Sequence, residues 1–319
     1  MTAATRLAPP AVVGAATVRA LVRTELRRAV RSRLLWAGTA GSVAIVCWFT
    51  ADGAFTEPGP YGEHLAAWDF PVGPLVLTAF LVANGAALRD RPPPAAELLA
   101  STPARSWERT GAVLAAALVP AVMALLVLGG QDLAVLAGGG AVLGSAPWVR
   151  VADPALLELV GGPLLVACSA VAGVLAARLV RSRTAGAVLG FLWWAVFSFD
   201  FYTFLYAPFG LVALSRSSVV ATDLGGTPSA VQLSAHQAAG SPGDLVPGYL
   251  GLDRDLTSYG LHLVFVLGVT AALAALALRR SGRDPRTRVV GAAGLVLVVA
   301  GFVGQLVTLS TDLGWLDPL

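Results

Sequence analysis

Long apolar stretches separated by short polar segments dominate this sequence. Seven of them approach the roughly 20 residues that a helix needs to cross about 30 Å of hydrocarbon. The predicted spans cover residues 34–50, 71–88, 110–129, 161–179, 184–207, 258–278 and 289–309. The pattern therefore predicts an all-α fold, a polytopic bundle of about seven transmembrane helices in a domain over residues 34–309.

The segment before the first span has helical periodicity. Its arginines recur at every fourth position, and apolar residues occupy much of the other side. The recurring residues are Arg19, Arg23, Arg27 and Arg31. This spacing predicts a basic amphipathic helix over residues 17–33, lying in the membrane interface with its arginines toward anionic lipid headgroups. Residues 1–16, rich in alanine, proline and threonine, are predicted to be a disordered tail, and 310–319 a C-terminal tail.

The placement of charged residues supports the prediction of membrane spans and indicates on which side of the membrane each loop lies. Only 13% of the residues are charged, against about 25% in soluble domains. With the N-terminus in the cytoplasm, most remaining arginines fall in the inner loops 89–109, 178–183 and 279–288, and most acids fall outside. Because an arginine excess marks cytoplasmic loops, we expect a cytoplasmic N-terminus and an extracytoplasmic C-terminus.

Two further segments need an interpretation. Residues 133–149 are apolar and glycine-rich, and an eighth crossing there would move the arginines of 178–183 outside. The arginine rule therefore favours a re-entrant or interfacial segment over a crossing. Residues 210–257, with many Gly, Pro, Ser and Thr, are predicted to form a long extracytoplasmic loop. No convincing internal repeat is present, which disfavours an inverted-repeat transporter.

The composition excludes several chemistries. All 22 basic residues are arginine, so a Walker A loop and a Schiff-base lysine are both impossible. Cys47 and Cys168 lie in apolar runs, which disfavours a disulfide framework or a thiolate metal site. His64, His236 and His262 have a spacing that fits no zinc pattern. We expect no catalytic residue, metal or cofactor in this chain, and no nucleic-acid partner.

One acidic residue, Asp200, lies inside a predicted span. Asp200 is a carboxylate in an aromatic-rich part of the fifth span, either lining a path or reaching water at the outer end. An intramembrane enzyme would need Asp200 paired with His262.

Other small and polar residues in the spans predict helix packing. Asn84, Ser169 and Gln305 are lone polar groups, which we expect to hydrogen-bond between helices. Gly186 and Gly190 form a small-residue face suited to close approach, either within one subunit or across a dimer.

The first inner loop carries the most informative motif. Residues 92–94 are three prolines that end the second span, and residues 95–100 can form a short helix stopped by Pro103. Leu98 and Leu99 would then present apolar side chains on the wet side of the membrane. They would either meet a partner or fold back onto the bilayer interface.

The order of these elements resembles the membrane subunit of type-2 ABC exporters. It comprises a basic N-terminal helix, a span, an outer loop, a second span, and an inner loop with Glu-Leu-Leu-x-Ser-Thr-Pro. The resemblance implies that 17–33 is the elbow helix and that the loop carries the coupling helix, which docks on a separate ATPase subunit. The docking residues it implies are Glu97, Leu98, Leu99, Ser101, Thr102 and Pro103. That family usually has six spans with both termini inside, whereas seven are predicted here.

The resulting hypothesis is a permease subunit in a bacterial cytoplasmic membrane. It would pair with a second permease as a homodimer or heterodimer and form the translocation path, while the partner ATPase hydrolyses ATP. The alternatives are a non-transporting membrane scaffold or assembly factor, and an intramembrane enzyme. Nothing in the spans selects a substrate.

Overall fold

Helices account for most of the structure, a computed structural model. It describes residues 15–53, 70–89, 104–143, 150–180, 182–203, 214, 219–223, 250–254, 256–282 and 285–312. The helices are α1 (Ala15–Val30), α2 (Arg33–Ala51), α3 (Gly73–Leu88), α4 (Ser106–Ala115), α5 (Leu118–Ala137), α6 (Glu158–Val180), α7 (Arg183–Thr203), α8 (Leu256–Ser281) and α9 (Pro285–Asp312). One 3₁₀ turn (Phe70–Val72) precedes α3, and four short strands complete the described elements: β1 (Ala141–Leu143), β2 (Arg150–Ala152), β3 (Val219–Asp223) and β4 (Leu250–Arg254).

Six helical segments in the described part are long and apolar enough to cross a membrane. They are Arg33–Ala51, Phe70–Leu88, Ser106–Ala137, Glu158–Val180, Leu256–Ser281 and Thr287–Thr308. The chain is thus a multi-pass membrane protein with an all-α bundle. Helix α7 occupies most of the predicted fifth span but is not among these six, so a seventh crossing stays a prediction.

The third span is longer than its apolar core predicts, and it is broken. Pro120 has no N–H to donate to the carbonyl of Ala116, and residues 116–117 form a turn between α4 and α5. Together the two helices run over 32 residues, which is about 48 Å at 1.5 Å per residue. This exceeds the hydrocarbon thickness of about 30 Å, so in a bilayer this span must tilt, bend or extend beyond the hydrocarbon.

The segment 133–149 forms no separate helix in its described part. Residues 133–137 belong to the end of α5, and the chain then turns at Gly139 and Gly140, whose φ angles of 95° and 99° suit glycine. Strand β1 follows and pairs antiparallel with β2. In the predicted outer loop 210–257, β3 pairs antiparallel with β4, from Val219 opposite Arg254 to Asp223 opposite Leu250.

Helix α6 lies at the centre of the bundle and packs against α3, α5 and α8. Most of its residues after Leu165 are buried. Gly173 contacts the backbone of Phe80 so closely that any side chain there would meet the Phe80 carbonyl oxygen. At this crossing Asn84 Nδ2 donates to the Gly173 carbonyl at 3.1 Å, which ties α3 to α6.

The other predicted interhelical contacts are also observed. Trp193 Nε1 of α7 donates to Ser169 Oγ of α6 at 2.9 Å, and Gln305 Oε1 of α9 lies 3.3 Å from His262 Nδ1 of α8. The predictions for Asn84, Ser169 and Gln305 are therefore confirmed.

The glycine face of α7 packs inside the chain rather than on a second copy. Gly186 lies against Asn84, and Gly190 lies against Phe80 and Leu81 of α3. The close approach that these glycines permit therefore joins α7 to α3. This contact settles the alternative that the spacing alone left open.

Candidate functional site

The arginine-bearing ends of several helices meet at one end of the bundle, called here the arginine end. Arg89 at the end of α3 and Arg183 at the start of α7 line one cavity together with Arg28 and Arg31. Arg178, near the end of α6, reaches α4. Arginines that the sequence places in different loops are thus neighbours in space.

Glu25 connects the N-terminal helix to the start of the predicted first inner loop, residues 89–109. Its carboxylate accepts from Arg28 at 2.8 Å and from Arg89 at 2.6 Å. Glu25 is the only acid of α1, and its side chain is 15% exposed, so water screens these ion pairs only in part. Arg89 is the last described residue before 104. The ion pair therefore fixes the point where α3 leads into the loop.

The far end of the same loop is also anchored. The Arg105 backbone N–H donates to Glu108 Oε2 at 2.6 Å, as in a capping box at the start of α4. Arg109 Nη1 donates to the Ala104 carbonyl at 2.9 Å. The first bond satisfies a backbone N–H that the helix start would otherwise leave open, and the second holds the residue just before the helix, so α4 begins at a defined residue.

A buried threonine joins three helices just beyond this cap. Thr110 Oγ1 of α4 accepts from Arg178 Nη2 of α6 at 2.9 Å and lies 2.7 Å from Ser281 Oγ of α8. Thr110 is fully buried, so this bonding replaces water that cannot reach it. One residue after Ser281, Gly282 lies against the ring of Trp107. The loop's second anchor is thereby linked to α6 and α8.

Two concave regions flank the N-terminal helix. A partly enclosed cavity of about 520 Å³ has Glu25 and four arginines on its lining, with small apolar residues of α3 and α4 as walls. A second, almost wholly apolar groove of about 530 Å³ runs between α1, α2 and α5, where Trp36, Val122 and Leu126 are exposed. In a membrane protein such exposed apolar side chains suit contact with lipid.

The predicted site residues are placed as follows. Arg19, Arg23 and Arg27 lie exposed on α1. Arg31 falls in the turn after that helix, because α1 ends at Val30 rather than at residue 33. Ser32 then caps α2, with its hydroxyl accepting from the Leu35 N–H at 3.4 Å. The structure describes α1 as a helix, while its place in the membrane interface stays a prediction.

Most of the other residues predicted to be functional lie outside the part of the chain that the structure describes. Glu97, Leu98, Leu99, Ser101, Thr102 and Pro103 all lie outside them, as do His64 and His236. Asp200 belongs to α7, but its side chain is not described. Within the described part of the chain, no three His, Cys, Asp or Glu side chains come together as a metal site would require.

Sequence reasoning missed Glu25 and Thr110. A single acid in a strongly basic helix was a usable signal for Glu25, since a buried or half-buried acid usually pairs with a cation. Nothing in the local pattern singles out Thr110, whose partners on other helices lie 68 and 171 residues away.

The pair of Glu25 and Arg89 gives a direct test of the first anchor. In a double-mutant cycle with Glu25→Gln and Arg89→Gln, we expect a coupling energy of about 0.5–1 kcal/mol, because the pair is partly exposed. The readout is unfolding of the purified protein in detergent at low and high salt, where salt should weaken the coupling. Glu25→Gln combined with Arg280→Gln is the control. Additive effects for Glu25 and Arg89 as well would contradict the anchor.

The chain matches no protein-family model and none of the curated proteins with which it was compared.

Proposed function

We propose that this chain is the permease subunit of an ATP-driven exporter of the type-2 ABC kind, working with a separate ATPase subunit. The observation that carries the proposal is the anchoring of the first inner loop at both ends. Arg89 is ion-paired to Glu25 of α1, and residues 104–110 are bonded into α4, α6 and α8. A displacement of this loop would therefore act on most of the bundle at once.

In this proposal the arginine end faces the cytoplasm. Helix α1 is the interfacial elbow, α7 makes the seventh crossing, and the C-terminus lies outside. Residues 95–103 dock on the ATPase, with Leu98 and Leu99 as the apolar contacts. The chain has no lysine and hence no Walker A loop, so nucleotide binding falls to the partner.

The mechanism follows from how packed helices respond to force. ATP binding would close a pair of ATPase subunits and push the docked loop. Hydrogen-bonded helix ends and close-packed interfaces do not deform continuously, so they switch between discrete arrangements. The anchors at Arg89 and Thr110 would carry the push into α3, α4, α6 and α8, and thereby open the bundle to the other side.

Purification of the full chain from its host in mild detergent tests the proposal. We expect an ATPase subunit to be recovered in a fixed ratio with this chain, and the complex to hydrolyse ATP at a rate that depends on the permease. Recovery without any nucleotide-binding partner would contradict the proposal. A partner whose ATP hydrolysis is indifferent to this chain would instead favour the scaffold hypothesis.

A further inference from the structure

The cavity beside Glu25 combines two kinds of lining. It is bounded mainly by α1, α3 and the α4–α5 turn, with single residues of α2, α4, α5, α6 and α7, and has a volume of about 520 Å³. Its polar side chains are mostly cationic, namely Arg28, Arg31, Arg89 and Arg183 against the single acid Glu25. The walls between them are small and apolar, such as Ala79, Val82 and Val113.

The charge arrangement suits an anion. Glu25 accepts from Arg28 and Arg89 and so holds both guanidinium groups in place beside the cavity. Four arginines against one glutamate still leave a net positive charge. Guanidinium groups bind phosphate oxygens in paired, directional hydrogen bonds, which makes a phosphate group the best match.

The apolar walls narrow the choice of ligand further. A free phosphate ion would contact only the arginines and would leave the alanine and valine surface without a partner. An acyl chain or glycerol backbone attached to that phosphate would cover this surface and gain the free energy of its burial. The cavity therefore fits an amphiphile with an anionic head.

We propose that this cavity binds one anionic phospholipid from the leaflet at the arginine end of the bundle. Its phosphate lies between Arg31, Arg89 and Arg183, and the first part of its chains lies along α3 and α4. The cavity holds the head and the start of the chains, while the rest extends into the bilayer. This lipid site is a discrete part of the protein and does not depend on the transport function.

Binding to the purified full-length protein in detergent tests the charge requirement. The probes are a short-chain phosphatidylglycerol, the matching phosphatidylcholine and inorganic phosphate, with bound molecules counted by native mass spectrometry. We expect one tightly bound phosphatidylglycerol, and about tenfold weaker binding in the double variant Arg31→Gln with Arg183→Gln. Arg280→Gln removes an exposed arginine of α8 outside the cavity lining and should leave binding unchanged.

A second variant tests the shape of the cavity without changing any charge. Gly85 of α3 lies on the lining, and a Cβ added there would meet no atom within 4 Å, so Gly85→Leu fills the cavity without a backbone clash. It should weaken phosphatidylglycerol binding to a similar degree. Gly130→Leu on α5 is the matched control, since Gly130 also has open space around it and is not part of the cavity.

Each result of these binding experiments either supports or contradicts the lipid site. Loss of phosphatidylglycerol in both the arginine and Gly85 variants, with both controls intact, would support the site. Equal binding of phosphatidylcholine, or undiminished phosphatidylglycerol in either cavity variant, would overturn it. Inorganic phosphate binding as tightly as the lipid would show that the ligand is a free anion, which would also overturn the proposal.

Discussion

Gly268→Leu is expected to push α8 away from α9 and to lower the free energy of unfolding by about 3 kcal/mol. The two helices meet backbone to backbone at this point. A Cβ on Gly268 would lie 2.5 Å from the Val298 nitrogen and 2.7 Å from the Gly294 carbonyl oxygen. Backbone atoms cannot turn aside as a side chain can, so the helices themselves must separate. The measurement is chemical or thermal unfolding in detergent, followed by circular dichroism.

A milder pair of substitutions separates packing from helix propensity. Alanine favours a helix over glycine by up to about 1 kcal/mol at any interior position. Gly291→Ala places its Cβ at 3.4 Å from Ala275 Cβ, an ordinary contact, so it should be neutral or slightly stabilising. Gly268→Ala should destabilise in spite of the same propensity gain. Unchanged or increased stability for both Gly268 variants would show that α8 and α9 are not held by this contact.

Replacing Leu98 and Leu99 together by Asp is expected to lower recovery of the proposed ATPase subunit about tenfold or more. If the two leucines enter an apolar groove on the partner, the substitution forces two carboxylates into it. Burying an ionised carboxylate without a partner costs several times more than the apolar contact contributes. The measurement is the ratio of co-purified ATPase to this chain after affinity purification.

The control must change an exposed leucine in the same way. Leu156, in the turn before α6, is 86% exposed, and Leu156→Asp should leave the ratio unchanged. The double variant should also retain the unfolding behaviour of the natural chain, since these leucines are proposed to face a partner and not the bundle. An ATPase ratio that survives the Leu98 and Leu99 changes would remove the docking role of this loop.

Much of the helical layout could be predicted because run length and hydropathy are local properties. A helix crosses the bilayer with all its backbone groups bonded internally, so each span is visible in its own segment. The interhelical hydrogen bonds of Asn84 and Ser169 could also be predicted, since a polar group in an apolar span must find a partner nearby. The length of the third span could not be predicted. Pro120 breaks this span into α4 and α5, and polar residues such as Gln131 and Asp132 lie within α5.

The polar contacts of the arginine end could not be predicted, because they join distant parts of the chain. Glu25 and Arg89 are 64 residues apart, and Thr110 and Ser281 are 171 apart. Such pairs depend on how the helices are arranged, which no single segment specifies. The cavity beside Glu25 was even less predictable, because its lining comes from all seven helices α1 to α7. The docking residues 97–103 rest on their motif alone.

The central claim is that the arginine end of the bundle faces the cytoplasm, and cysteine labelling tests it most directly. In a Cys47→Ser background, Arg280→Cys places a thiol on an exposed position of this end, and Leu156→Cys places one in the loop between the third and fourth spans. Cys168 is fully buried and can stay. A membrane-impermeant maleimide should label Leu156→Cys in intact cells, and Arg280→Cys only after the cells are permeabilised. Labelling of Arg280→Cys in intact cells would contradict the orientation, and with it the docking of the first inner loop on an ATPase.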